Sequence, residues 1–338
     1  MISWTPKSDM PDLHGKVALV TGASTGIGFQ IVQQLRRRGA KVFATTRTEK
    51  SADAAREKLR VVDPDLGPGN VEWLLLDLAS LKSINDTATT IKQSSQRLDI
   101  LINNAATITA EKELVAGRWE KNMAVNAIGP FLLTNLLMPL LESTIKLSGA
   151  DVRIVTVASI APATFLPTNF HYNFESASGL VSPVSSYPPS WRFGIKFLFA
   201  SDMILYSVSK AAVQAYASEL QRLLDARGLP ILSLIVHPGA VATEGVADAN
   251  GPFLRTMANL TFISSEQGAA TPLFAATAAV VQRDPESYKH KLLMPNEKIE
   301  PLVSVANDEV QSQQLWDLMT EELGRYLAAE GLPPMEKW

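Results

Sequence analysis

The feature that most constrains this chain is a rhythm of short, almost uninterrupted apolar runs. They are KVALVT (Lys16–Thr21), KVFATT (Lys41–Thr46), VEWLLL (Val71–Leu76), DILI (Asp99–Ile102), VRIVTVA (Val152–Ala158) and ILSLIV (Ile231–Val236). Runs this continuously apolar are what strands of a parallel sheet need when both faces are covered. Longer amphipathic patterns, such as Ile27–Arg38 and Ser80–Ser95, lie between them. The alternation predicts an α/β fold built on a doubly wound parallel sheet. The 338 residues contain no repeat and no long polar linker, so one domain spanning residues 1–338 is expected.

Composition removes several functions. The net charge is −3, which leaves no basic field for nucleic acid or an anionic membrane. The absence of cysteine excludes disulfides, thiolate metal sites and a cysteine nucleophile. It also fits a reducing compartment, so a cytoplasmic location is expected. His14, His171, His237 and His290 are scattered, with no pair at metal-ligand spacing, and no metal is expected. The N-terminus MISWTPKSDMPDLHG has no apolar h-region and does not read as a signal peptide. Ala124–Leu141 is uncharged and long enough to cross a bilayer. It holds Asn126, Gly129, Pro130, Asn135 and Pro139, however, and reads better as a buried core helix than as a membrane span.

VTGASTGIG follows the first strand and opens the first helix, with Gly22, Gly26 and Gly28 at G-x-x-x-G-x-G spacing. Glycine lets the backbone turn tightly and approach a pyrophosphate, while the helix start offers free N–H groups and a positive dipole end. With the strand and the helix both in place, the motif predicts a dinucleotide site. At the end of the second strand, where an acid would bind the ribose 2′-hydroxyl of NAD, stand Thr46 and Arg47. Nothing acidic there repels a 2′-phosphate and a guanidinium can pair with it, so NADP(H) is expected.

Two further stretches stand out. YSVSK places Tyr206 and Lys210 at i and i+4, on one face of a helix. Ile160–Leu205 breaks the β–α rhythm with Pro162, Pro167, Pro183, Pro188 and Pro189. It also carries Phe165, Phe170, Tyr172, Phe174, Tyr187, Trp191, Phe193, Phe197 and Phe199. Disordered linkers are poor in aromatics, so this reads as an ordered insertion before the active-site helix.

Taken together, TGASTGIG, Asp77 in LLLDL, NNAA at Asn103–Ala106, Asn126 in MAVNAIGP, Ser159 in VTVAS, YSVSK and HPGAVAT at His237–Thr243 resemble the short-chain dehydrogenase/reductase family. LDLASLKS and AVNAIGPFLLTNLL look most like its retinol-dehydrogenase-like and fungal reductase members. The resemblance runs from about Gly15 to Thr243 and implies a Rossmann-type fold and an NADP-dependent oxidoreductase. It implies catalytic roles for Asn126, Ser159, Tyr206 and Lys210. For the cofactor it implies Gly22, Ser24, Thr25, Gly26, Ile27 and Gly28 around the phosphates, with Arg47 at the second strand. Asp77 and Asn103 fall on the adenosine side, Lys210 at the nicotinamide ribose and Thr243 at the carboxamide, with Leu78, Ala105, Tyr206, Pro238, Gly239 and Val241 as further cofactor contacts. The chain departs from the family pattern in three places. NNAA replaces NNAG, which requires a negative φ at Ala106; Ala158 precedes Ser159 where a serine is common; and Ser159 and Tyr206 lie 47 positions apart.

Carbonyl reduction needs a proton donor, and Tyr206 is the natural one. A cation about 4 Å from the phenol, at an effective dielectric near 20, favours the phenolate by roughly 4 kcal/mol, enough to lower its pKa by about three units. Lys210 is therefore expected to tune Tyr206. Ser159, at a strand's C-terminal end, is expected to hold the substrate oxygen. By resemblance, Asn126 anchors a relay water, and His237 is structural. A non-redox isomerase or cyclase, or a binding protein sensing NADP(H), would not require the complete Asn–Ser–Tyr–Lys set. The insertion, tethered at Ser159 and Tyr206, could pack on the protein's own core, on lipid, or over a ligand. The last of these suits a small lipophilic ketone, aldehyde or alcohol. Residues 250–338 are expected to extend the domain and shape the substrate site. Homodimerisation through helices around Val125–Leu147 and Tyr206–Ala226 is possible unless the insertion or the tail covers them.

Overall fold

The computed structural model describes residues 4–66, 68–109, 114–194, 201–241 and 263–335. Ten strands are described: β1 (Val17–Val20), β2 (Lys41–Thr46), β3 (Val71–Leu75), β4 (Ile100–Asn103), β5 (Leu114–Val115), β6 (Trp119–Glu120), β7 (Val152–Val157), β8 (Ile231–Val236), β9 (Lys291–Leu293) and β10 (Ile299–Pro301). The helices up to the middle of the chain are α1 (Pro6–Asp9), α2 (Gly26–Arg37), α3 (Glu49–Val62), α4 (Leu81–Ser94), α5 (Lys121–Met123), α6 (Gly129–Thr144), α7 (Ala161–Phe165), α8 (Ser178–Val181), α9 (Pro189–Phe193) and α10 (Met203–Ala226).

Eight strands form one sheet in the order β10-β9-β8-β7-β4-β1-β2-β3. All pairs are parallel except β9 with β10. The chain reverses direction across the sheet between β1 and β4, which opens a crevice at the strands' carboxyl ends. Every residue of β1, β4 and β7 is buried, as their apolar runs require. One hydrophobic cluster lies on each face of the sheet.

The uncharged segment is a core helix. Among the described residues it is the one helix long and apolar enough to cross a membrane, and 89% of its apolar window is buried in the protein. It is not continuous α-helix: Ala124–Ile128 forms a π-helical turn that runs into α6.

The C-terminal region completes the sheet and both helical layers. β9 and β10 add an edge beside β8. Helix Ser265–Thr277 packs on α2, and helix Glu309–Ala329 packs on α10. Arg153, only 1% exposed, fixes the first of these: its guanidinium pairs with Asp151 and donates to the carbonyls of Ala275 (2.9 Å) and Ala278 (3.1 Å). A buried cation is tolerable only when its charge and donors are satisfied in this way.

The described part of the insertion lies on the protein's own core. Tyr172, Phe174, Leu180, Val184 and Trp191 are buried in the same cluster as α6 and α10. α7 packs on α10, and α8 packs on β6. The stretch 195–200 lies outside the described residues.

Candidate active site

The glycine loop is built by close backbone approach. Gly22 and Gly26 have φ of +65° and +55°, in the left-handed region where a side chain is strained. A Cβ on Gly28 would fall 2.2 Å from the Gly22 carbonyl oxygen, and one on Gly22 would fall 2.9 Å from Ala105 Cα. The loop therefore cannot accommodate larger residues at these positions. Asn104 clamps it, donating from Nδ2 to the carbonyls of Thr21 (2.9 Å) and Gly22 (3.2 Å). Thr21 Oγ1 in turn accepts from the backbone N–H groups of Asn104 and Ala105, both at 3.0 Å.

The start of α2 fits a dinucleotide phosphate. Thr25 occupies the N-cap with extended backbone but makes no side-chain capping bond. The first N–H groups of a 12-residue helix therefore face the loop without a side-chain acceptor. Ser24 and Ile27 are half-buried beside Gly26, and Thr25 is exposed.

The remaining cofactor-side residues separate into open and committed groups. Arg47 is exposed just past β2 and makes no hydrogen bond or ion pair with a described residue. Thr46 before it is buried. Asp77 is exposed; its Oδ1 accepts from Ala79 N at 2.9 Å. Leu78 is buried against Gly129, where a Cβ would meet the Leu78 carbonyl oxygen at 2.5 Å. Asn103 turns away from the crevice: its Nδ2 donates to Thr134 Oγ1 at 3.0 Å, and its Oδ1 is buried without a partner. Its neighbour Asn104, which the sequence reading did not single out, is the asparagine that meets the loop. Ala105 is half-buried against Gly22, and Ala106 is not among the residues with positive φ, so its methyl is accommodated. Pro238 and Gly239 follow β8, with Gly239 at φ +93° and close to Ile263; Val241 bridges to Ile263. Thr243 lies outside the described residues.

Tyr206 lies in the first turn of α10, and Lys210 follows one turn later on the same face. Ser159 follows the carboxyl end of β7, and its carbonyl accepts from Gln214 Nε2 of α10 at 3.0 Å. Its hydroxyl accepts from Ala161 N at 3.1 Å and lies close enough to Tyr206 to oppose the rise in its pKa. Thr156, three residues earlier, is buried in β7 beside Tyr216. Asn126 sits in the π turn, 3% exposed. Its amide pairs with the Thr107 backbone like a strand neighbour, accepting from Thr107 N (2.7 Å) and donating to Thr107 O (2.9 Å). It also donates to Ser209 Oγ at 3.0 Å, and Ser209 donates to the Tyr206 carbonyl. One turn earlier Asn122 pairs with Thr109 in the same fashion, oriented by Glu120. A π turn widens the helix by one residue and is a recurrent device at functional sites. Nothing in the apolar periodicity of this segment announces it.

The electrostatics correct one expectation. Lys210 Nζ donates to the Val157 carbonyl at 2.7 Å and stands 5.9 Å from the Tyr206 ring centroid. Burial pushes the Tyr206 phenol up to about 12, with Ser159 opposing. Burial pushes the Lys210 ammonium down to about 7. The expected three-unit lowering of Tyr206 assumed a close, fully charged neighbour. Here desolvation, which disfavours both charged forms, outweighs it. His237, at the end of β8, is 7% exposed, and its Nδ1 has no partner. Burial, then the charge of Lys210, lowers it to about 4. No cluster of His, Cys, Asp or Glu among the described residues could hold a metal ion.

Comparison with known proteins agrees with this geometry. The family described as short chain dehydrogenase matches residues 16–176. The chain is 37% identical over 311 residues to the short chain dehydrogenase/reductase dpchH of Colletotrichum higginsianum, covering 92% of this chain and 75% of that protein. It is 32% identical over 311 residues to the polyprenol dehydrogenase of Mus musculus, covering 91% of this chain and 83% of that protein. Its fold superposes on NADPH-bound carbonyl reductase from chicken fatty liver with a TM-score of 0.58 at 21% identity, over 89% of this chain and all of that one. With the glycine loop, the parallel sheet and the Tyr206–Lys210 helix in one crevice, and relatives of this identity along nearly its whole length, the chain belongs to the short-chain dehydrogenase/reductase family.

Proposed function

We propose that the protein is an NADPH-dependent reductase that interconverts a lipophilic ketone or aldehyde with its alcohol. The observation that carries the reading is the convergence of Ser159, Tyr206 and Lys210 at the carboxyl end of β7, the same side of the parallel sheet from which α2 starts uncapped after β1. NADP(H) would be held by the α2 N–H groups, by Arg47 at the 2′-phosphate and by Lys210 at the nicotinamide ribose; when bound, it supplies the hydride. Ser159 donates to the carbonyl oxygen and orients it. Tyr206 gives its proton to the same oxygen as negative charge develops there. The phenol, raised by burial, is protonated at neutral pH, as a proton donor must be. The phenolate left behind is then resupplied with a proton from the side of Lys210, whose lowered pKa lets it release and recover a proton near neutrality.

One observation supports the lipophilic substrate. A relative covering most of the chain carries a polyprenol, a long apolar alcohol, in its name. The test is stoichiometric NADPH oxidation with a panel of bulky apolar carbonyls set against small polar ones. Turnover of the bulky members is expected. Turnover confined to sugars or small acids, or none with any carbonyl, overturns the proposal. Trp191 belongs to the main core, so Trp191→Ala reports on packing rather than on substrate fit.

A further inference from the structure

Asp202 stands four residues before Tyr206 and uses both carboxylate oxygens. Oδ1 accepts from the backbone N–H groups of Ile204 and Leu205, both at 3.0 Å. Oδ2 accepts the phenolic proton of Tyr187 at 2.6 Å. Tyr206 N closes the turn by donating to the Asp202 carbonyl at 3.1 Å. The first N–H groups of a helix have no partner within it, and its first turn is where fraying concentrates. Tyr206 belongs to that turn. The direction of its phenol therefore depends on where Asp202 starts the helix.

Asp202 is itself held from the insertion. The Tyr187 ring packs on the main core, and its hydroxyl supplies the side-chain donor to the free carboxylate oxygen. Glu120 faces the same corner, where its charge acts on both Tyr187 and Asp202. Glu120 spends its own oxygens on Asn122 and the start of α5. Arg192 donates to Ser186 Oγ at 2.8 Å. Among the described residues Tyr187 is thus the side-chain donor to Asp202 in this corner, alongside the helix N–H groups. We propose that Tyr187 and Asp202 form a latch through which the insertion sets the orientation of Tyr206, making both of them positioning residues for proton transfer. The proposal rests on the reading of Tyr206 as proton donor.

Tyr187→Phe keeps the ring and deletes only the latch bond. Asp202→Ser keeps a helix cap and deletes the same bond. Both variants are expected to lower kcat about tenfold, with NADPH affinity within about twofold of the parent. Hydrogen exchange at Ile204, Leu205 and Tyr206 should quicken together with exchange in residues 161–194. A contact that merely stabilises the fold would lower Tm and leave kcat per NADPH-binding site unchanged. That result, or parental exchange rates at the helix start in Tyr187→Phe, overturns the latch. Exchange needs no turnover, so it decides the latch even if no carbonyl is reduced and the reaction assignment fails.

Discussion

Lys210 donates a hydrogen bond from its ammonium to the Val157 carbonyl at 2.7 Å and stands 5.9 Å from the ring centroid of Tyr206. The two residues share a helix face, yet the lysine reaches past the tyrosine to the end of β7. The arrangement ties α10 to the sheet at the place where chemistry is assigned. It also keeps the phenol protonated and the amine poised near neutrality, because both are buried.

Removing the phenolic hydroxyl should separate chemistry from binding. Tyr206→Phe is expected to lower kcat by about 100-fold or more, the scale of a general acid, with NADPH binding retained. Lys210→Ala should weaken both, since it also loosens α10 from Val157. Steady-state kinetics with a fluorescence titration of NADPH read the two effects. Near-parental turnover in Tyr206→Phe would exclude the proposed mechanism.

Arg47 should choose the cofactor. Its exposed guanidinium is free to take a 2′-phosphate, and no acid stands at Thr46 to bind a 2′-hydroxyl. The parent is expected to bind NADPH more tightly than NADH by about 10- to 100-fold, and Arg47→Asp to reverse the order. Equal affinity of the parent for both cofactors refutes this.

His237 should make the fold acid-sensitive. Its pKa is lowered to about 4 from 6.5 by burial, then by Lys210. Between those values the unfolded chain binds a proton that the folded chain refuses. Stability therefore rises with pH through this window and is lost as pH falls from about 6.5 to 4, by on the order of 3 kcal/mol. Urea titrations at pH 7 and pH 4.5 should show a loss that His237→Gln reduces. An equal loss in the variant would assign the acid sensitivity to other groups.

Self-association through α6 and α10 is expected to be blocked. Helix Glu309–Ala329 already covers α10, with Trp316 stacked edge-on against Phe131 of α6 at 4.7 Å and only 5% exposed. Sedimentation should give a monomer of 36.7 kDa. A species of twice that mass would show that another face associates or that this helix moves aside.

The six central strands, the helices between them and the glycine loop are legible in residue order. Their signals are local: a strand buried on both faces must be apolar throughout, and a backbone at φ +65° beside Ala105 must be glycine. β5, β6, β9 and β10 are two or three residues long, too short for any periodicity to accumulate. The π turn at Asn126 changes no apolar spacing that could reveal it. The two adjacent asparagines were indistinguishable in sequence, because which one meets Gly22 and which meets Thr134 depends on where β4 ends. The partner of Lys210 lies 53 residues away, and that of Tyr187 lies 15 residues on, beyond Pro188 and Pro189. The sequence by itself determined the fold class and the residue types of the site. Tertiary structure alone decided which side chains are desolvated and which polar atoms they meet, because burial and long-range hydrogen bonds exist only once the helices have packed on the sheet.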